Sequence, residues 1–174
     1  MAFDTPFKWT RQVASDFGGT KVGMVIHWSG AINAKGEQRD QVHHVIDVAP
    51  AIRDANGLPE HTLANGGPQR PVDGTRMSFL FEDADTEERR ATRYFEIFGN
   101  RAIYHERWWA RKIHKAPWER KPRHALDEDI GEFYDTTKGF SLTNELAQGN
   151  PEKLRRFAKR FPRQGRAQQN APSR

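Results

Sequence analysis

Apolar positions recur along this chain at two periods, and each period predicts its own kind of element. After the paired glycines Gly18-Gly19 and the cation Lys21 comes the run Val22 to Trp28. Short, β-branched and apolar, it predicts a strand buried on both faces, fed by a sharp backbone turn. From Gln41 to Asp54 the period changes. Val42, Val45, Ile46, Ala49 and Ile52 fall three and four apart, which predicts a lead-in ending at His44 and then a helix of about two to three turns. Asp47 is placed as its N-cap, Pro50 lies in the first turn, and Gly57 and Pro59 stand where it should stop.

Residues 59–76 hold three prolines and three glycines and predict a long irregular connection, followed by the short apolar piece Met77–Phe81 and a charged loop or turn from Glu82 to Arg90. Alternating aromatic segments then predict three strand candidates: Arg93–Phe98, Ala102–Trp109 and a continuation through Ile113. Gly99-Asn100 supplies hairpin chemistry between the first two. A further strand is predicted from Ile130 to Thr136. Asn150-Pro151-Glu152 opens a last helix carrying Leu154, Phe157, Ala158 and Phe161, with Pro162 to end it. The succession of strand, helix, loop, antiparallel strands and helix is α+β. Residues 163–174 lack an apolar anchor and are expected to form a disordered basic tail.

Composition and charge sharpen this picture. The 174 residues suffice for one ordinary domain, but 36% hydrophobic against 29% charged is polar for a compact globule. Residues 1–106 hold 12 Lys and Arg against 15 Asp and Glu, whereas residues 107–174 hold 16 against 8, which together give the net +5. The basic last third admits a polyanion such as nucleic acid as partner; with no base-reading motif beside it, a solvated face and tail is favoured. No cysteine is present, so disulfides, thiolate metal sites and a cysteine nucleophile are excluded, and a reducing, cytoplasmic setting is favoured. No apolar run approaches a membrane span, and the first residues lack the pattern of a secretory signal.

Candidate chemistry is sparse. His43-His44 with Asp47 invites a metal reading, but adjacent side chains diverge and no second cluster is spaced to complete a site, so capping and packing are preferred. Asp83, Asp85, Glu87 and Glu88 form an acidic patch without the alternation and turn glycine of a calcium loop, and a solvated surface is expected. The sequence contains no nucleophile elbow, phosphate loop or dinucleotide fingerprint.

Several motifs in order do carry a resemblance. They are Pro6-Phe7, Arg11, Gly18-Gly19, Lys21 and Val25–Trp28; then His44-Val45-Ile46-Asp47-Val48-Ala49-Pro50 and Ala55-Asn56-Gly57-Leu58-Pro59; then Phe98-Gly99-Asn100-Arg101, Ile103-Tyr104-His105 and Glu132–Lys138; and last Asn144-Glu145-Leu146-Ala147 ahead of Asn150-Pro151-Glu152. In that order the chain resembles the C-terminal portion of bacterial arylsulfatases, in the sulfatase / alkaline-phosphatase-like superfamily. The resemblance implies a sulfuric ester hydrolase acting on sulfate esters. It also implies an α+β fragment of an α/β sulfatase fold: residues 1–76 ending the central sheet, 77–162 forming a small antiparallel sheet packed with a C-terminal helix, and 163–174 a tail. Cut from its neighbours, the sheet edge is expected to allow self-association.

The resemblance also names what this chain lacks. The family uses a formylglycine made within Cys/Ser-x-Pro-Ser/Ala-Arg, a Ca2+ ion held by acidic residues and an Asn, and a Lys-Trp-His-Leu-Gly-like motif, none of which stands here. Asn170-Ala171-Pro172-Ser173-Arg174 mimics the first motif with Asn in place of the required residue. One family site position falls inside the chain. Arg11 stands where the family has a sulfate-contacting Lys, keeping the charge with a different geometry. Ala51 replaces a family Thr, and Gly139-Phe140 an acidic turn. The chain is therefore expected to be a C-terminal piece, inactive alone, that supplies at most one cation to the site.

Overall fold

The computed structural model describes residues 5–33, 35–122 and 124–161. The backbone forms two compact units, one of Met1–Gly23 with Ala91–Arg174 and one of Met24–Arg90. The expected basic tail and the Asn170–Arg174 motif lie outside the described residues.

The first unit is built on four antiparallel strands in sequence order: β3 (Thr92–Ile97), β4 (Asn100–His105), β5 (Trp108–Lys112) and β6 (Gly131–Asp135). Register places Tyr94, Ile103, Ala110 and Phe133 in one row across the sheet. Helix α3 (Pro151–Ala158) covers that row with Phe157, Phe161 just beyond the helix joins the same core, and Leu146 and Leu154 pack beside it. Phe133 stacks on Trp108 at 5.0 Å and meets Phe157 edge-on at 5.1 Å. Each buried Phe contributes about 1.5–3 kcal/mol by leaving water. The antiparallel sheet with its C-terminal helix thus forms as expected.

Both short turns of this sheet use left-handed backbone at two successive residues, which matches the twist of the strands they join. The first centres on Phe98 and Gly99 (φ 53 and 82), one residue before the expected Gly99-Asn100 pair, because Asn100 is taken into β4 opposite Ile97. There its buried Oδ1 accepts from the His114 and Lys115 amides. The second turn, Glu106-Arg107 (φ 48 and 68), falls inside the expected strand Ala102–Trp109 and divides it. Neither residue is Gly or Asn, so no turn signal marks it.

The second unit holds α2 (Val48–Ala55), entered through a single 3-10 turn at Val45–Asp47. His44, not Asp47, caps this entry. Its ring accepts from the Ile46 amide, while the buried Asp47 carboxylate turns back to accept from the His44 amide at 2.9 Å and the Thr75 amide at 2.7 Å. That reciprocal pair satisfies two otherwise orphaned donors, and it gives His44 the capping role expected for the His43-His44 pair. Gly57, at φ 64, ends the helix as predicted. Ala51 packs with Met77 and Leu80. Within the stretch expected to be irregular, Asn65-Gly66 (φ 49 and 81) turns a small hairpin between β1 (Leu63–Ala64) and β2 (Gly67–Pro68).

The expected buried strand at Val22–Trp28 does not form. These residues belong to no helix or strand, with Val22 and Val25 exposed by 87% and 95%. A strand is stabilised by a neighbour's hydrogen bonds and by cover on its faces, and among the described residues no strand lies beside this one. No helix of the described residues is long and apolar enough to cross a membrane.

Candidate functional site

The segment carrying Arg11 is bound to the sheet face opposite α3. Asp16 caps α1 (Phe17–Thr20), its Oδ1 accepting from the Phe17 amide at 2.7 Å. Its other oxygen forms a buried ion pair with Arg111 of β5. Arg111 also donates to Glu132 Oε2 from Nε and Nη2 (3.1 and 2.7 Å) and to the Tyr134 hydroxyl at 3.0 Å, and Tyr134 in turn donates to Glu132. Beside this network the Trp109 indole donates to the Ser15 carbonyl at 3.1 Å and packs edge-on against Phe17 at 4.9 Å. Both charges of the Asp16–Arg111 pair are removed from water, which is stable only because each is met by several partners.

Electrostatics follow from that packing. Burial alone raises the Glu132 carboxyl pKa, but the hydrogen bonds from Tyr134 and Arg111 and the Arg111 charge outweigh it and hold it below its ordinary value. Tyr134 is pushed up, by burial first and then by its bond to Glu132. Glu132 is thus anionic and Tyr134 neutral near neutral pH, and the cluster is an internal strut.

The glycine pair serves close backbone approach. A Cβ on Gly18 would stand 2.0 Å from the Trp9 carbonyl oxygen, and one on Gly19 would stand 2.3 Å from that of Val13. Only glycine lets α1 lie against residues 8–13, so the turn holds the segment that presents Arg11. Arg11 itself is exposed, and among the described residues no hydrogen bond or ion pair engages its side chain. The other cation of the stretch is used differently: Lys21 Nζ lies 3.9 Å from the Phe140 ring centroid and 4.9 Å from that of Phe17.

Among the described residues, no group of three or more His, Asp or Glu side chains is placed to hold a metal ion. The described residues do not fit a calcium site. Asp83 instead accepts from the Asp85 amide and the Thr86 hydroxyl, bonds that hold its carboxyl below the ordinary value. His43 lies 3.7 Å from Asp47. The buried Arg111 cluster was missed by sequence reasoning. Its one visible signal was a charged residue following Trp108, Trp109 and Ala110 in an expected strand.

The fold is like that of a sulfatase. The solved structure is of a Bacteroides thetaiotaomicron protein, 6S-sulf, described with that organism's metabolism of multiple glycosaminoglycans; the TM-score is 0.59 at 17% identity, over 84% of this chain. At that identity the likeness is one of fold alone. The chain spans 29% of the length of that protein. No family model matches the sequence, and no curated protein matches it.

Proposed function

We propose that this chain acts as the C-terminal portion of a sulfuric ester hydrolase of the arylsulfatase kind, and that it contributes one cation, Arg11, to the pocket holding the sulfate group. The fold likeness to a sulfatase over most of the chain carries this reading. Two further features support it. The ordered motifs from Pro6 to Glu152 follow the family's succession. Arg11 also stands exposed on a segment locked by Gly18, Gly19 and the Asp16–Arg111 pair, so its charge is free for an anion.

In this reading the chain positions and the missing portion reacts. Arg11 offers a planar pair of donors to two sulfate oxygens and stabilises charge that builds on them as the S–O bond breaks. The nucleophile and the metal belong to the other portion, so the chain alone binds sulfate without hydrolysing its esters.

Two measurements test this. Purified chain incubated with p-nitrophenyl sulfate should release no p-nitrophenol, and steady turnover would overturn the division of labour. Inorganic sulfate should shift the Arg11 side-chain Nε–H resonance, a response absent in Arg11→Gln. If sulfate leaves that resonance unmoved, the assignment of Arg11 fails.

A further inference from the structure

Trp118 is the most exposed of the five tryptophans, at 75%. It is not a loose side chain. It follows Pro117 in a turn closed from both ends: the Glu119 amide donates to the Ala116 carbonyl at 3.0 Å, and the Ala116 amide donates to Glu119 Oε2 at 2.8 Å. Ala116 is buried and anchors the turn. One face of the Trp118 indole stacks on Trp9, with ring centroids 5.6 Å apart and planes 19° from parallel.

Trp9 is held as firmly. It has φ 65, a conformation bulky residues seldom adopt, and its carbonyl is the atom that a Cβ on Gly18 would strike. The contact that fixes the Arg11 segment therefore also fixes the base of the stacked pair, and Arg11 is two residues on from Trp9. Lys8, Arg11, Lys115, Arg120 and Lys121 flank the two indoles in sequence. The acid nearest to them in sequence, Glu119, is spent on the turn.

We propose that the Trp9–Trp118 pair is a binding platform on which the ring of an anionic ester stacks, with Arg11 meeting the ester's sulfate. The ligand class is a sulfate monoester whose organic part has one flat apolar ring face, aromatic or pyranose. This rests on the sulfate role proposed for Arg11 and adds the site that recognises the rest of the molecule. Indole faces favour such rings, the flanking cations favour the anion, and the preset turn limits the ordering cost of binding. One stacked pair takes one ring, which favours a small ester over a nucleic-acid strand needing successive platforms.

The test follows the indole N–H resonances of the 174-residue chain during titration with p-nitrophenyl sulfate, a 6-sulfated glucose, their unsulfated parents and a thymidine decamer. The Trp118 resonance, assigned by its loss in Trp118→Phe, should shift saturably with at least one sulfate ester. Affinity for that ester should fall about tenfold in Trp118→Ala, the scale of one aromatic stacking contact. Removing the sulfate, or Arg11→Gln, should weaken it similarly. The Trp109 resonance, held by Ser15, should stay in place and report an intact fold. Which ester binds distinguishes an aromatic from a sugar ring. Unchanged affinity in Trp118→Ala, or tighter binding of the decamer, overturns the platform. Trp118-dependent binding indifferent to the sulfate and to Arg11 overturns the shared site, and with it the sulfate role of Arg11.

Discussion

Arg111, in the middle of a β-strand, pairs with Asp16, the residue that caps the Gly18-Gly19 turn, and both are buried. This contact joins the segment presenting Arg11 to the four-stranded sheet. Replacing Arg111 with Met leaves Asp16 buried and uncompensated, at a cost of about 3–5 kcal/mol. The loss should be measured in urea titrations monitored through Trp109. Arg111→Met with an unchanged midpoint would show that the pair does not hold the segment.

The glycine pair is expected to be sensitive in a way a neighbouring glycine is not. Gly18→Ala forces the Trp9 carbonyl to move and should destabilise by at least about 1–3 kcal/mol. Around Gly23 nothing lies within 4 Å of an added Cβ, so Gly23→Ala should stay within about 0.5 kcal/mol of the parent. Thermal melts of the two variants side by side decide the matter.

Helix α3 stands on Phe157. Phe157→Ala should cost about 3–5 kcal/mol through lost burial and a cavity above Phe133. Amide exchange should show α3 opening well before β4 and β5. Equal protection of helix and sheet in the variant would contradict this.

His105 supplies a pH dependence. Burial first, and then the Arg160 charge, lower its pKa below the ordinary 6.5. The unfolded chain therefore binds this proton more readily, and stability should fall as pH drops through about 6.5 toward the folded value. His105→Gln removes that contribution. Denaturation midpoints between about pH 5.5 and 7.5 should slope less in the variant, and identical slopes would exclude His105 as the source.

The run Val22–Ile26 forms no strand with any of the described residues and exposes Val22, Met24, Val25 and Ile26; it is expected to cause self-association, seen as concentration-dependent sedimentation. Val25→Lys places a charge on that edge and should shift the chain toward monomer. A parent that sediments as a monomer at every concentration would count against this.

Much of the fold was legible in the sequence because it depends on local chemistry. The spacing of Val45, Ala49 and Ile52, with Gly57 after them, specifies α2, and the alternating aromatics specify three strands of the sheet. Asn65-Gly66 carried a hairpin signal that its proline- and glycine-rich surroundings obscured. The turn at Glu106-Arg107 had no signal, since its left-handed backbone is imposed by the pairing of β4 with β5. Lys21 was visible as a cation beside the glycine turn and Arg11 through the family resemblance, but that no hydrogen bond or ion pair engages the Arg11 side chain among the described residues was not legible.

By itself, then, the sequence determined the helix periods, most strand segments and the need for glycine at residues 18 and 19. Tertiary structure decided the rest. Whether an apolar run becomes a strand depends on a neighbour to accept its hydrogen bonds, and Val22–Trp28 has none among the described residues. Whether a charge belongs to a site or to a strut depends on burial and on partners far away in sequence. That is why Arg111 is locked inside by Asp16 while Arg11, on the segment this contact secures, stands exposed to solvent.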